Sequence, residues 1–340
     1  MDMTFPPPPP LTWERLLTAW TLNPVALVAV AVLGVAYGLG VRRVRRGAVD
    51  REAAGRETGA WPAGRSWWFL TGLGSILLVT LSAVGVYAGT LFWDRAVQNI
   101  TLLMLTPMFL ALGAPLTLLR AVLPEPATRA ASRVLHSTAA RALTFPVVVT
   151  AALIAPLFVL YLTPLYEASL RSAALGGAAD VGLVLGGFLY FWTRFRIDPT
   201  PRADPYLLTM AISVAEVVFD GVLGLVVWLG PLIAPHYYQA LHLGWGPDPR
   251  LDQTIGAGVL WIGGDLAGLP FLAAVVTRMM REDQRDAAVI DAELDTHDAA
   301  AEATPAPTQP RLWWEDHPEL SQRFARSGDD GPRPQPRIGT

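Results

Sequence analysis

The stretch VQNITLLMLTPMFLALGAPLTLL, residues 97–119, carries no formal charge from end to end, and its reading decides the fold. At about 1.5 Å of rise per helical residue it spans the roughly 30 Å hydrocarbon core of a bilayer. Working outward, comparable apolar runs recur at 24–41, 67–89, 144–163, 178–195, 206–230 and 255–277. With 97–119 they predict an all-α, polytopic membrane protein, a bundle of seven transmembrane helices. Composition points the same way, since 52% of residues are hydrophobic against 16% charged, and mean hydropathy is +0.36. A soluble chain of this length would need a far more polar surface.

The loops orient the bundle. Arg42, Arg43, Arg45, Arg46, Arg51, Arg56 and Arg65 follow the first run, and Arg120, Arg129, Arg133 and Arg141 follow the third. Arg194, Arg196 and Arg202 follow the fifth, while Arg278, Arg281 and Arg285 follow the seventh. The opposite side offers only Arg15, Arg95, Arg171 and Arg250. Positive charge stays inside, so the N-terminus is expected outside and the C-terminus in the cytoplasm. All basic residues are Arg, which together with the Ala, Gly and Pro richness reads as the codon bias of a GC-rich genome. The multi-pass pattern places the chain in a bacterial cytoplasmic membrane, with the lipid bilayer as its first partner.

Three segments are expected. Residues 1–22 form an extracytoplasmic N-terminal part with five consecutive prolines and a short interfacial helix bearing Trp13 and Trp20. Residues 23–280 form the transmembrane domain. Residues 281–340 form a cytoplasmic, largely disordered tail, rich in Ala, Asp, Glu, Thr and Pro beyond about Arg285. Within the tail, Leu312 to Phe324 sets aromatics in an acidic context and reads either as a partner-binding motif or as a packed turn. The Arg clusters are explained by topology and the net charge is −3, so no nucleic-acid partner is expected. The chain has no Cys, which excludes disulfides and thiolate metal sites.

Polar groups inside apolar runs are costly unless paired, protonated or hydrated, and they mark candidate sites. Arg95, Gln98 and Asn99 stand at the start of the third run and Asp180 near the start of the fifth. Glu216 and Asp220 lie in the sixth and Asp265 in the seventh. Arg95 and Asn99 are four apart, as are Glu216 and Asp220, so each pair shares a helix face. Together, Arg95, Asn99, Asp180, Glu216, Asp220 and Asp265 are expected to line one outward-opening polar interior. Three readings stay open for it: a satisfied network that fixes helix packing, a proton or ion path, or a metal-handling site. Met104 and Met108 share a helix face and are weak candidates for a soft ion, as are His236 and His242 of the outer loop 231–253. These residues serve a hydrophobic core and an aromatic interfacial loop equally well. No Ser-His-Asp, Cys-His, HExxH or phosphate-loop pattern occurs, and no enzyme activity is expected.

Four short signatures carry a family resemblance. They are Leu112-Gly113-Ala114-Pro115, Thr163-Pro164-Leu165-Tyr166, Asp198-Pro199-Thr200-Pro201-Arg202 and Asp252-Gln253, with Arg-Glu-Asp-Gln-Arg at 281–285. In this order and spacing the chain resembles the multi-helix CtaG-type cytochrome c oxidase assembly family over about residues 15–290. The resemblance implies a non-catalytic role in respiratory chain biogenesis. Its client would be a haem-copper cytochrome c oxidase, whose subunits or other assembly factors would be partners, and its task copper delivery or scaffolding. An alternative outside that family is a small ion or proton transporter built on the intramembrane carboxylates. The resemblance also implies copper, through histidines in the third, fifth and sixth helices. At the matching positions this chain has Arg95, Asn99, Asp180 and Asp220, a cation and hard oxygen donors that suit Cu(I) poorly.

Overall fold

The computed structural model describes residues 8–53, 61–195, 198, 218–219 and 221–302. Among these every regular element is helical. The order is α1 (Trp13–Thr18), α2 (Pro24–Ala53), α3 (Ala63–Leu81), α4 (Ala83–Tyr87) and α5 (Phe92–Ile100), then a π-helical turn (Thr101–Leu105) leading into α6 (Thr106–Leu112). There follow α7 (Pro115–Val122), α8 (Glu125–Leu135), α9 (Thr138–Leu143), α10 (Pro146–Leu162), α11 (Leu165–Arg171) and α12 (Ala173–Phe195). The chain continues with α13, described over residues 221–229, then α14 (Pro235–Ala240) and α15 (Pro249–Glu302). The described residues divide at residue 275 into two compact units.

Three described helices are long and apolar enough to cross a membrane: Pro24–Gly47, Phe92–Leu112 and Ala173–Phe195. The pair Pro146–Leu162 and Leu165–Arg171, bent by 77°, makes a fourth if it is one span. Of the remaining expected runs, 67–89 is broken at Ser82, 206–230 falls largely outside the described residues, and 255–277 is the middle of α15. The run at 97–119 also needs correction. The helix begins at Phe92 and ends at Leu112, because Ala114 takes a left-handed conformation (φ 51°) and Pro115 starts a new helix without an N–H to give. Arg95 and Asn99 therefore sit inside the first turns of the span. A second difference lies at the other end of the chain, where residues 286–302 are helical although their composition suggested disorder. Their frequent Ala is the strongest helix former.

The central member is the helix Phe92–Leu112. Burial covers 72% of its spanning window, against 22% for α2 and 33% for α12. Ile100, Leu103 and Met108 pack with Leu153 and Leu157 of α10, Leu183 and Tyr190 of α12, Leu223 of α13 and Leu260 of α15. On the other flank Leu110 and Leu118 pack with Tyr37 of α2 and with Phe69 and Leu73 of α3. The outer face of α2 carries Val25, Val28, Val32, Val35 and Leu39, each 58–69% exposed. Water would not tolerate such a stripe on a monomer, whereas lipid solvates it.

Two prolines explain how α12 docks. Pro107 cannot donate to the carbonyl of Leu103, nor Pro156 to that of Ala152. A Cβ built on Gly187 would collide with the Leu103 oxygen, and one on Gly186 with the Ala152 oxygen. Adjacent glycines thus let both freed carbonyls approach the α12 backbone, the close packing that membrane helices use in place of hydrophobic drive.

Candidate functional site

The helical spacing of α5 puts Arg95, Gln98 and Asn99 on one face, turned into the bundle, where they are 8%, 4% and 0% exposed. The Arg95 Nη1 donates to Gln98 Oε1 at 2.7 Å and Nη2 to Asp180 Oδ1 of α12 at 3.4 Å. Gln98 passes the chain on through Nε2 to the Val79 carbonyl at 2.8 Å. Asn99 Nδ2 donates to the Tyr161 hydroxyl of α10 at 2.9 Å. The rings of Phe92, Tyr161 and Tyr166 close one side, with centroids 5.0–5.6 Å apart, and Tyr166 shares a 2.8 Å hydroxyl contact with Tyr238 of α14.

This network is only partly satisfied. Among the described residues Arg95 Nε and Asn99 Oδ1 are buried with no hydrogen-bond partner, and Arg95 meets Asp180 through one long contact rather than a two-pronged fork. A group that accepts from the guanidinium and donates to the amide oxygen, such as a hydroxyl, suits the pair chemically.

The cluster is held by joints at helix starts. Asp252, at the start of α15, accepts from the backbone N–H of Phe92 and of Trp93, both at 2.9 Å, and so caps α5 from a distant part of the chain. Burial pushes its carboxyl up from the ordinary range, against the two N–H donors of Trp93 and Phe92 that pull it down. Gln253 donates to the carbonyls of Val227 and Pro231 and accepts from the N–H of Ile233, which ties α13 and the segment after it to α15. On the opposite side Asp198 caps α7, accepting from Leu116 N–H at 3.1 Å and from Thr117 N–H at 2.7 Å. The Tyr37 hydroxyl donates to the Gly113 carbonyl at 2.8 Å beside the left-handed Ala114. Burial also raises the phenols of Tyr237 and Tyr238 in α14.

Of the residues singled out from sequence, the structure brings together Arg95, Asn99 and Asp180. Glu216 and Asp220 lie outside the described residues, as does the tail island from Leu312 to Phe324. Asp265 is half-buried on α15, its Oδ1 without a partner among the described residues, and no hydrogen bond joins it to Arg95. Met104 and Met108 are packed in the hydrophobic core. His236 and His242 are exposed, and His242 lines a cavity beside the start of α5. Among the described residues no group of three His, Cys, Asp or Glu converges. The cluster offers a guanidinium, two amides, a phenol and one carboxylate that already faces a cation, a donor set that does not fit copper.

Sequence reasoning missed Tyr161, Tyr166 and Tyr238, which hold the cluster from one side. A signal was present, because Tyr166 ends the Thr163-Pro164-Leu165-Tyr166 signature at the sharp bend between α10 and α11. It also missed that Asp198 and Asp252 are caps.

The model of a protein family described as cytochrome c oxidase caa3 assembly factor (Caa3_CtaG) matches residues 35–282. Curated relatives include uncharacterized proteins of Mycobacterium bovis and Mycobacterium tuberculosis, each 28% identical over 297 residues, covering 85% of this chain and 43% of the relative. An uncharacterized protein of Mycobacterium leprae is likewise 28% identical, over 85% of this chain and 44% of its own. The chain therefore spans less than half the length of these relatives. No solved structure matches it.

Proposed function

The chain belongs to the cytochrome c oxidase caa3 assembly factor family, and on that premise we propose that it is a non-catalytic scaffold for the biogenesis of a haem-copper oxidase. It acts in a bacterial cytoplasmic membrane as a seven-span bundle, N-terminus outside and residues 281–340 on the cytoplasmic side. Oxidase subunits or fellow assembly factors are its partners. The alternation of Arg-rich and Arg-poor loops supports the orientation, and the apolar helices support the membrane setting.

The Arg95–Asp180 pair carries the scaffold reading. It sets a cation on Phe92–Leu112, the most buried of the three long apolar helices among the described residues, against a hard carboxylate on α12, where the family resemblance leads one to expect imidazoles. A partly satisfied ion pair joining two helices sets their packing and responds to a partner that pulls on either one. Copper delivery through the same place is disfavoured by its donor chemistry.

Deletion of the gene tests this reading, with haem a spectra and oxidase turnover measured in membranes with and without added copper. A scaffold predicts loss of assembled oxidase that copper does not restore. Full rescue by copper would establish delivery instead, and normal oxidase in the deletion would refute the assembly role.

A further inference from the structure

Outside the polar cluster, the loop between α14 and α15 folds back over the start of α5 and bounds a cavity of about 480 Å³. Its shape is set by two residues with left-handed backbone, His242 (φ 44°) and Gly246 (φ 97°). Trp245 forms one wall. Its ring is held edge to face against the buried Tyr87 at 5.8 Å and packs beside Leu91, so that the wall exists before any ligand arrives. Tyr238 and Phe92 supply further aromatic lining.

The charges around this cavity are one-sided. Asp248 and Asp252 line it and no Arg does. Arg250, between them in sequence, turns away and donates to the carbonyls of Gly230 and Trp228 at 2.6 and 2.5 Å. The starts of α5 and α15 also point here, and each contributes roughly half a positive charge. Two carboxylates against these two helix ends leave about one net negative charge, which repels an anion and attracts a single cation. Asp252 has both oxygens engaged by backbone N–H groups, whereas Asp248 uses only Oδ2, for the N–H of Arg250. The exposed carboxylate with a free oxygen is therefore Asp248.

We propose that this cavity binds the guanidinium of an arginine presented by an extended segment of a partner protein. Asp248 supplies the counter-charge and Trp245 the aromatic face on which a guanidinium stacks. The volume suits one long side chain with its flanking backbone rather than a bare metal ion. The cavity shares Phe92, Tyr238 and Asp252 with the surround of the Arg95 cluster but neither Arg95 nor Asp180 lines it, so failure of the inference would leave the oxidase reading untouched.

The test uses the full chain in phosphatidylcholine nanodiscs with ¹⁵N-labelled indoles, the Trp245 signal being identified by its loss in Trp245→Phe. The probes are N-acetyl-arginine amide, its neutral glutamine counterpart and its anionic glutamate counterpart. The arginine probe should shift the Trp245 signal saturably while the other two do not. Asp248→Asn keeps a residue able to cap α15 but removes the charge, and should weaken binding at least about threefold with the other indole signals unmoved. Raising the salt to about 0.5 M should weaken it as well. An absent or non-saturable shift, an equal response to the glutamine probe, or unchanged affinity in Asp248→Asn would each overturn the proposal. Should Asp248→Asn fail to fold, the three probes on the unaltered chain still decide.

Discussion

Asp252 and Asp180 are both acidic residues pressed against the same helix, α5, yet they are held in opposite ways. Asp252 accepts two backbone N–H groups, one on each oxygen, at 2.9 Å. Asp180 reaches one guanidinium nitrogen at 3.4 Å, beside an Arg95 Nε and an Asn99 Oδ1 with no partner among the described residues. A saturated carboxylate at a helix start is a joint, with little left over for another partner. A carboxylate held by one loose contact beside unpaired neighbours retains capacity to respond. Asp198 falls with the joints, since its oxygens take up two backbone N–H groups and the Thr117 hydroxyl of α7.

The difference can be broken or sharpened by substitution. The largest loss is expected for Asp180→Ala, which strands the Arg95 guanidinium in a side chain only 10% exposed and should cost about 3 kcal/mol or more in reversible unfolding in micelles. Pairing it with Arg95→Met should recover most of that loss. A double variant as unstable as the sum of the singles would mean the two do not act as a pair. Next comes Asp252→Ala, which leaves two N–H groups at the start of α5 unpaired, for about 2 kcal/mol and faster amide exchange at Phe92 and Trp93. Asp252→Asn, with one oxygen left, should fall between this variant and the unaltered chain.

Gly187→Ala should cost a comparable or slightly smaller amount, about 1–2 kcal/mol, as its new methyl forces α12 away from the Leu103 carbonyl. An unchanged midpoint would show that the helix shifts freely and that the close approach is dispensable. The smallest effect is expected for Tyr166→Phe, about 1 kcal/mol, from loss of the hydroxyl contact with Tyr238. Oxidase assembly sharpens the contrast further. Asp180→Asn should lower assembled oxidase more than its own loss of melting stability explains, while for Asp252→Asn the two should fall together. Parallel losses in both would make Asp180 one more joint.

The signatures that carried the family resemblance turn out to be largely such joints. Gly113, Ala114 and Pro115 make the left-handed break that ends α6, and Asp198 caps the helix beginning there. Asp252 caps α5 from 159 and 160 positions away in sequence. A reader of the sequence sees these residues as conspicuous in their spacing but cannot see what they hold, because a cap supplied by another segment leaves no local pattern. Arg95, Asn99 and Asp180 were legible for a different reason, as polar groups stand out inside an apolar run. Their tyrosine partners were not, since a tyrosine in a membrane helix reads equally well as core or as interface anchor.

Sequence by itself determined that this chain is helical and built for an apolar solvent, and it picked out the polar residues inside its helices. Those properties are local, resting on the length of uncharged runs and on which residues lipid penalises. Only the tertiary structure decided that the central helix stops at Leu112, that prolines 107 and 156 are matched by adjacent glycines on α12, and that Asp180 faces Arg95. The last two depend on which atoms of distant segments meet, and a freed carbonyl or a buried guanidinium has no partner to name until the helices are packed.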